Sequence, residues 1–200
     1  MTSDLRPAHR AALDLATTHI DAATPDDLAR PTPCAEWDLA ALLAHMVGQN
    51  HGFAAAVVDG DAPAAAYAPR PGSPAAWRTS ADALVAAFAG ADPDTTVLQA
   101  ELAPGVPLPV SLLVGAQLLD TVVHTWDVAR ALDRPFTPPA DLVAAIEPML
   151  GLIPDGDGRL APESVFAPAI PTDATDPWSH ILTWLGRDPM WTAADAPTAA

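Results

Sequence analysis

Twenty-three prolines in 200 residues decide where a continuous helix can run, because a proline inside a helix removes a backbone hydrogen bond and clashes with the preceding turn. Between the proline-rich stretches, apolar residues recur at helical spacing. Leu5, Ala8, Ala12, Leu15 and Ile20 mark a first helix from 5 to about 22. The stretch TPDDLARPTPCAEW, with prolines at 25, 31 and 33, interrupts it as an ordered loop. Asp38 is placed to cap a second helix, DLAALLAHMVGQNHGFAAAVV, in which Leu39, Leu42, Leu43, Met46 and Val47 form an apolar stripe; it ends near Asp59-Gly60. After the loop GDAPAAAYAPRPGSP, Ser73 and Pro74 make an N-cap and first-turn pair for a third helix running to about Gly90. TTVLQAELAPGVPLPV suits either a short hairpin or an extended crossover. A fourth helix runs from 110 to 132 and is closed by DRP.

Four substantial helices, a long connection between helices 2-3 and 4, and almost no convincing strands predict an all-α, four-helix bundle. Beyond it, PPADLVAAIEPML supports a shorter helix, 151–176 a loop, and PWSHILTWLGRDPMW a last helical turn or two, before a frayed TAADAPTAA. One domain is expected over 1–200, with the bundle over about 5–135 and an irregular extension over 136–200.

Nine cations face 25 anions, a net charge of −16, and all nine cations are Arg. Such a charge repels a phosphate backbone and an anionic membrane surface, so neither nucleic acid nor membrane is an expected partner. The greasiest run, 110–123, is broken by Ser111, Gln117, Asp120 and Thr121, and no membrane span is expected. The N-terminus carries charges throughout and has no apolar signal core, and the single cysteine, Cys34, fits a reducing compartment; a cytoplasmic protein is the expectation. The absence of Lys, with abundant Ala and Pro, matches the codon bias of a high-GC genome.

LLDTVVHTWDVAR, residues 118–130, is a core-like helix that contains a carboxylate and an imidazole. Asp120 and His124 stand four apart and share one face. His45 lies mid-helix among apolar neighbours on the second rod. A buried ionised Asp costs several kcal/mol unless a cation or hydrogen bonds compensate it. One divalent ion between the two helices answers for all three residues, and two His with one carboxylate leave coordination positions open, a set suited to zinc, ferrous iron or nickel. The competing reading pairs Asp120 with an Arg and leaves both histidines as core residues. Gln49, one turn beyond His45, can reach a metal-bound water or a substrate, or sit at the surface. Asp127 can orient a ligand imidazole from behind, or pair with Arg130 or Arg134. Trp37 and Trp126 are read as packing residues and Cys34 as inert. His51 faces elsewhere; His9, His19 and His180 show no ligand spacing. Arg70 in the mouth loop and Arg78 in the third helix are each placed where an anionic substrate can be met.

The segments TPCAEWDLAALLAHMVGQN and LLDTVVHTWDVARALDRP together resemble the DinB-like metal-binding superfamily. More narrowly they resemble the N-terminal domain of mycothiol-dependent maleylpyruvate isomerase and related actinobacterial metal-binding proteins. The resemblance spans about 5–135, and the closing LGRDPMW is similar to the tail of that actinobacterial group. It implies a DinB-type bundle with one divalent metal held by His45, Asp120 and His124, with Asp120 in the place of the isomerase's Glu. It also implies a low-molecular-weight thiol, mycothiol, as cosubstrate, and transferase or isomerase chemistry on a small electrophile. A non-catalytic metal-binding or small-molecule-sensing protein is the alternative, and a homodimer is compatible with either.

Overall fold

The structure, a computed structural model, describes residues 4–34, 37–161 and 164–195. Ala35 and Glu36, within the PC-x-EWDL segment, and 196–200 of the expected frayed tail lie outside the described residues. The described residues form six α-helices: α1 (Arg6–Ile20), α2 (Leu39–Asp59), α3 (Pro74–Gly90), α4 (Val110–Ala131), α5 (Ala140–Ile146) and α6 (Pro177–Trp184). Two expected caps are made. Asp38 accepts from the Ala41 N–H at 2.8 Å and Ser73 from the Ala76 N–H at 3.1 Å, each satisfying one of the orphan donors of a helix start.

Among the four long helices, α1 packs on α3 and α4, and α2 packs on α3 and α4. α4 is buried along almost its whole length, and all three apolar clusters draw on it. Val128 and Ala131 join α1, α2 and α3 at one end. Leu118, Leu119, Val122 and Val123 meet α1, α5 and α6 on another face. Val110, Leu113 and Val114 close on Phe53, Leu84 and Phe88. On a helix buried this far, a carboxylate requires a specific partner. On α2, Gly48 and Gly52 stand one turn apart where a Cβ would lie 2.5 Å from the Ala68 carbonyl and 2.2 Å from the Tyr67 ring. Those two absent side chains let the 3-10 turn Ala64–Tyr67 lie flat on the helix.

A three-stranded sheet corrects the all-α expectation. β1 (Asp61–Ala62) runs parallel to β2 (Thr96–Gln99), with Asp61 opposite Leu98; β3 (Leu108–Pro109) returns antiparallel, with Val97 opposite Leu108. Of the two sequence readings for 95–110, the hairpin is the one observed. β2 alternates exposed and buried residues, but four residues of period two are too few to stand out, and β1 comes from beyond the whole of α3. The C-terminal segment contains α5, α6 and 3-10 turns at Glu147–Leu152, Asp157–Leu160 and Ala193–Asp195. No helix among the described residues is long and apolar enough to cross a membrane.

One core residue makes the fold sensitive to acid. His9, 1 % exposed, packs edge-on against Phe88 with ring centroids 5.1 Å apart. Burial pushes its pKa down to about 4. The unfolded chain therefore takes up a proton between about pH 6.5 and pH 4 that the folded chain refuses. The stability held above this window is lost as pH falls through it, about 3 kcal/mol in all. Urea unfolding at pH 7 and pH 4 should show that fall, and His9→Leu should remove most of it. An equal fall in both proteins would contradict the assignment.

Candidate metal centre

The i, i+4 spacing on α4 brings Asp120 Oδ1 to 3.3 Å from His124 Nε2, and α2 brings His45 Nε2 to 4.0 Å from the same oxygen. One donor atom from each of the three lies within 4.8 Å of the others. Ligands at about 2.1 Å from a tetrahedral zinc stand about 3.4 Å apart, so this spacing suits a shared cation after small side-chain adjustments. Asp120 retains 30 % side-chain exposure and His45 18 %, so the cluster is open to solvent on that side. Trp37 lies over His45 with ring centroids 4.7 Å apart and reaches His124 at 6.4 Å. It is a wall of the cluster as well as a packing residue.

The other side of His124 is closed. Its Nδ1 is 2.9 Å from Asp127 Oδ2, and Asp127 is fully buried. Arg187 grips Asp127 with a forked pair, Nε to Oδ1 at 3.1 Å and Nη2 to Oδ2 at 3.0 Å. Cys34 joins them: its Sγ is 3.2 Å from Asp127 Oδ2, 3.1 Å from Arg187 Nη2 and 3.8 Å from His124 Nδ1. Cys34, read as inert, thus lies within the polar group behind His124, and of the two readings of Asp127 the ion pair is made with Arg187 and not with Arg130 or Arg134. Arg130 instead donates to the Pro189 carbonyl and stacks 5.4 Å over Trp126. Cys34, His124 and Asp127 also have the spacing of a metal group, but Arg187 stands against two of the three, and a cation there would face a guanidinium at close range.

Electrostatics separate the two halves. Loss of solvent pushes Asp120 up, yet the charge and hydrogen bond of His124, and then those of His45, hold its carboxyl well below the usual range. Burial pushes His124 down, but Asp120 and then Cys34 and Asp127 hold it well above its ordinary value. Burial likewise opposes the charge on Asp127, and Arg187 followed by His124 brings it down to about 2. Two imidazoles and a carboxylate thus face an open side, while an ionised Asp–Arg pair backs them.

Gln49 is buried and donates to Glu101 at 2.9 Å, and among the described residues no hydrogen bond joins it to the cluster. His51 is half-buried on α2 outside the group, and Arg78 pairs with Asp21. Arg187 is the residue that spacing arguments missed. The only local hint is its position after LG in the closing LGRDPMW.

The mycothiol maleylpyruvate isomerase N-terminal domain, as a sequence family, matches residues 9–129. Two solved structures share the fold: mycothiol-dependent maleylpyruvate isomerase, TM-score 0.52, and a histidine-to-alanine mutant of it, TM-score 0.55. Each is 14 % identical to this chain over 72 % of its residues, and the match spans 65 % of the isomerase's length. No curated protein matches.

Proposed function

Because the chain belongs to the mycothiol maleylpyruvate isomerase N-terminal domain family, we propose that it is a DinB-like four-helix bundle holding one divalent cation, zinc in first place, between α2 and α4. With it the protein uses a low-molecular-weight thiol of the mycothiol type as a transferase or isomerase for a small electrophile. The observation that carries this reading is the convergence of His45, Asp120 and His124 from two helices, with donor atoms within 4.8 Å of one another. A divalent ion bound there supplies one thing, a lowered pKa for a thiol that it coordinates, which yields a nucleophile at neutral pH. The remaining work falls to the chain. Asp127 engages His124 Nδ1, which leaves Nε2 to face Asp120 and His45. Trp37 screens one side of both imidazoles from water. The exposed edge of Asp120 and His45 is where the thiol and its electrophile would enter.

Elemental analysis of the purified protein should find about one zinc, or nickel or iron, per chain, removable by a chelator. Mycothiol at about 100 times its Kd should then stabilise the metal-loaded protein by about 3 kcal/mol and leave the chelated protein unmoved. A chain that takes up no metal at micromolar concentration overturns the proposal. Metal without any response to mycothiol leaves a metal-binding or sensing protein in its place.

A further inference from the structure

We propose that Arg187, which lies in the C-terminal segment beyond the matched domain, is a positioning residue for the candidate metal centre: through Asp127 it fixes the ring of His124 and so the direction of its Nε2. The inference rests on the metal reading of that cluster. α6 ends in a Schellman turn, with Arg187 N–H bonded to the Leu182 carbonyl at 2.9 Å and Gly186 N–H to the Thr183 carbonyl at 3.0 Å. Gly186 adopts φ 76°, and a Cβ on it would lie 2.7 Å from Ala167 Cβ and 2.9 Å from the Ala167 carbonyl. Glycine is therefore required at the point that aims the next side chain inward. The tail is also tied to α4 by Arg130, which donates to the Pro189 carbonyl.

Once aimed, Arg187 has four of its five N–H groups engaged by described residues. Nε and Nη2 engage Asp127, Nη2 also reaches Cys34, Nη1 donates to the Leu185 carbonyl, and the side chain is 10 % exposed. Its role is to hold a carboxylate. Asp127 with Arg187 in place presents Oδ2 to His124 Nδ1 at 2.9 Å. Without the fork, that carboxylate keeps, among the described residues, the imidazole and the Cys34 thiol as partners and is free to turn. The ring it anchors would then no longer hold Nε2 toward Asp120. The C-terminal segment is thus a part of the metal centre, although it supplies no ligand.

The test is zinc affinity by chelator competition, with the visible spectrum of the cobalt-substituted protein, on the full chain, Arg187→Gln, Arg187→Lys, Asp127→Asn and the Arg187→Gln/Asp127→Asn double variant. Loss of an outer-shell partner costs about 10- to 100-fold in metal affinity. Arg187→Gln should show that loss and altered cobalt bands, Arg187→Lys a smaller one, and the double variant little more than either single change, since both act through one path. A purely structural ion pair would lower the melting temperature but leave affinity and spectrum as in the parent. Parent-like binding by Arg187→Gln overturns the inference; should that variant not fold, parent-like binding by Arg187→Lys does so. Absence of metal from the parent chain is a separate result, and it removes the metal reading together with this one.

Discussion

On the proposed metal reading, replacing His124 by alanine should lower zinc affinity by more than about 100-fold, a larger loss than any change behind the proposed ligands produces. His124 is the residue on which both halves of the cluster meet: Nε2 faces Asp120 at 3.3 Å and Nδ1 faces Asp127 at 2.9 Å. Outer-shell losses of about 10- to 100-fold arise when a ligand remains but is badly aimed, so deletion of the ligand itself must exceed them. His45→Ala should weaken binding too, but it leaves the i, i+4 pair on α4 intact. His51→Ala is the matched control, since that residue lies on α2 outside the group. Competition with a chromophoric chelator at constant pH measures all three, and constant pH matters because zinc must displace any proton on the imidazole. Retention of affinity within about tenfold by His124→Ala would place the cation elsewhere.

What the sequence revealed and what it concealed divide along contact range. The Asp120–His124 pair is legible because helical spacing alone puts i and i+4 on one face, and the caps at Asp38 and Ser73 are legible because capping is local chemistry. His45 is legible as an anomaly within an apolar stripe. The sheet is not, since β1 and β2 meet across all of α3 and each is too short to show a period. Asp127 shows the limit most clearly. Spacing offered Arg130 and Arg134 as partners, yet the carboxylate is held by Arg187, 60 residues on, because the tail docks so that Arg130 is spent on a carbonyl and a tryptophan. Cys34 was read from its sequence neighbours, while the groups that define it come from α4 and from a residue 153 positions away. Local rules nominate polar residues on a buried helix; which partner each receives is settled by the packing of segments that those rules do not connect.

That packing gives Asp127 a large stability effect. Asp127 is fully buried and Arg187 nearly so. Removing one member of such a pair leaves an unpaired charge in the interior, and Asp127→Leu should destabilise the chelated protein by about 3–5 kcal/mol. Adding Arg187→Met should recover most of that loss, because the second change removes the stranded guanidinium and with it the cost of its desolvation. Chelation keeps metal linkage out of the comparison. The pH dependence has a definite sign. Burial opposes the Asp127 charge, but Arg187, with help from His124, brings its pKa from 3.8 down to about 2. The carboxylate's contribution is therefore intact above about pH 4 and is lost as pH falls through 2. Urea unfolding of the parent, the single variants and the double variant at pH 7 decides the matter. If the double variant is no more stable than Asp127→Leu, the guanidinium was not stranded, and the forked pair does not hold the tail against α4.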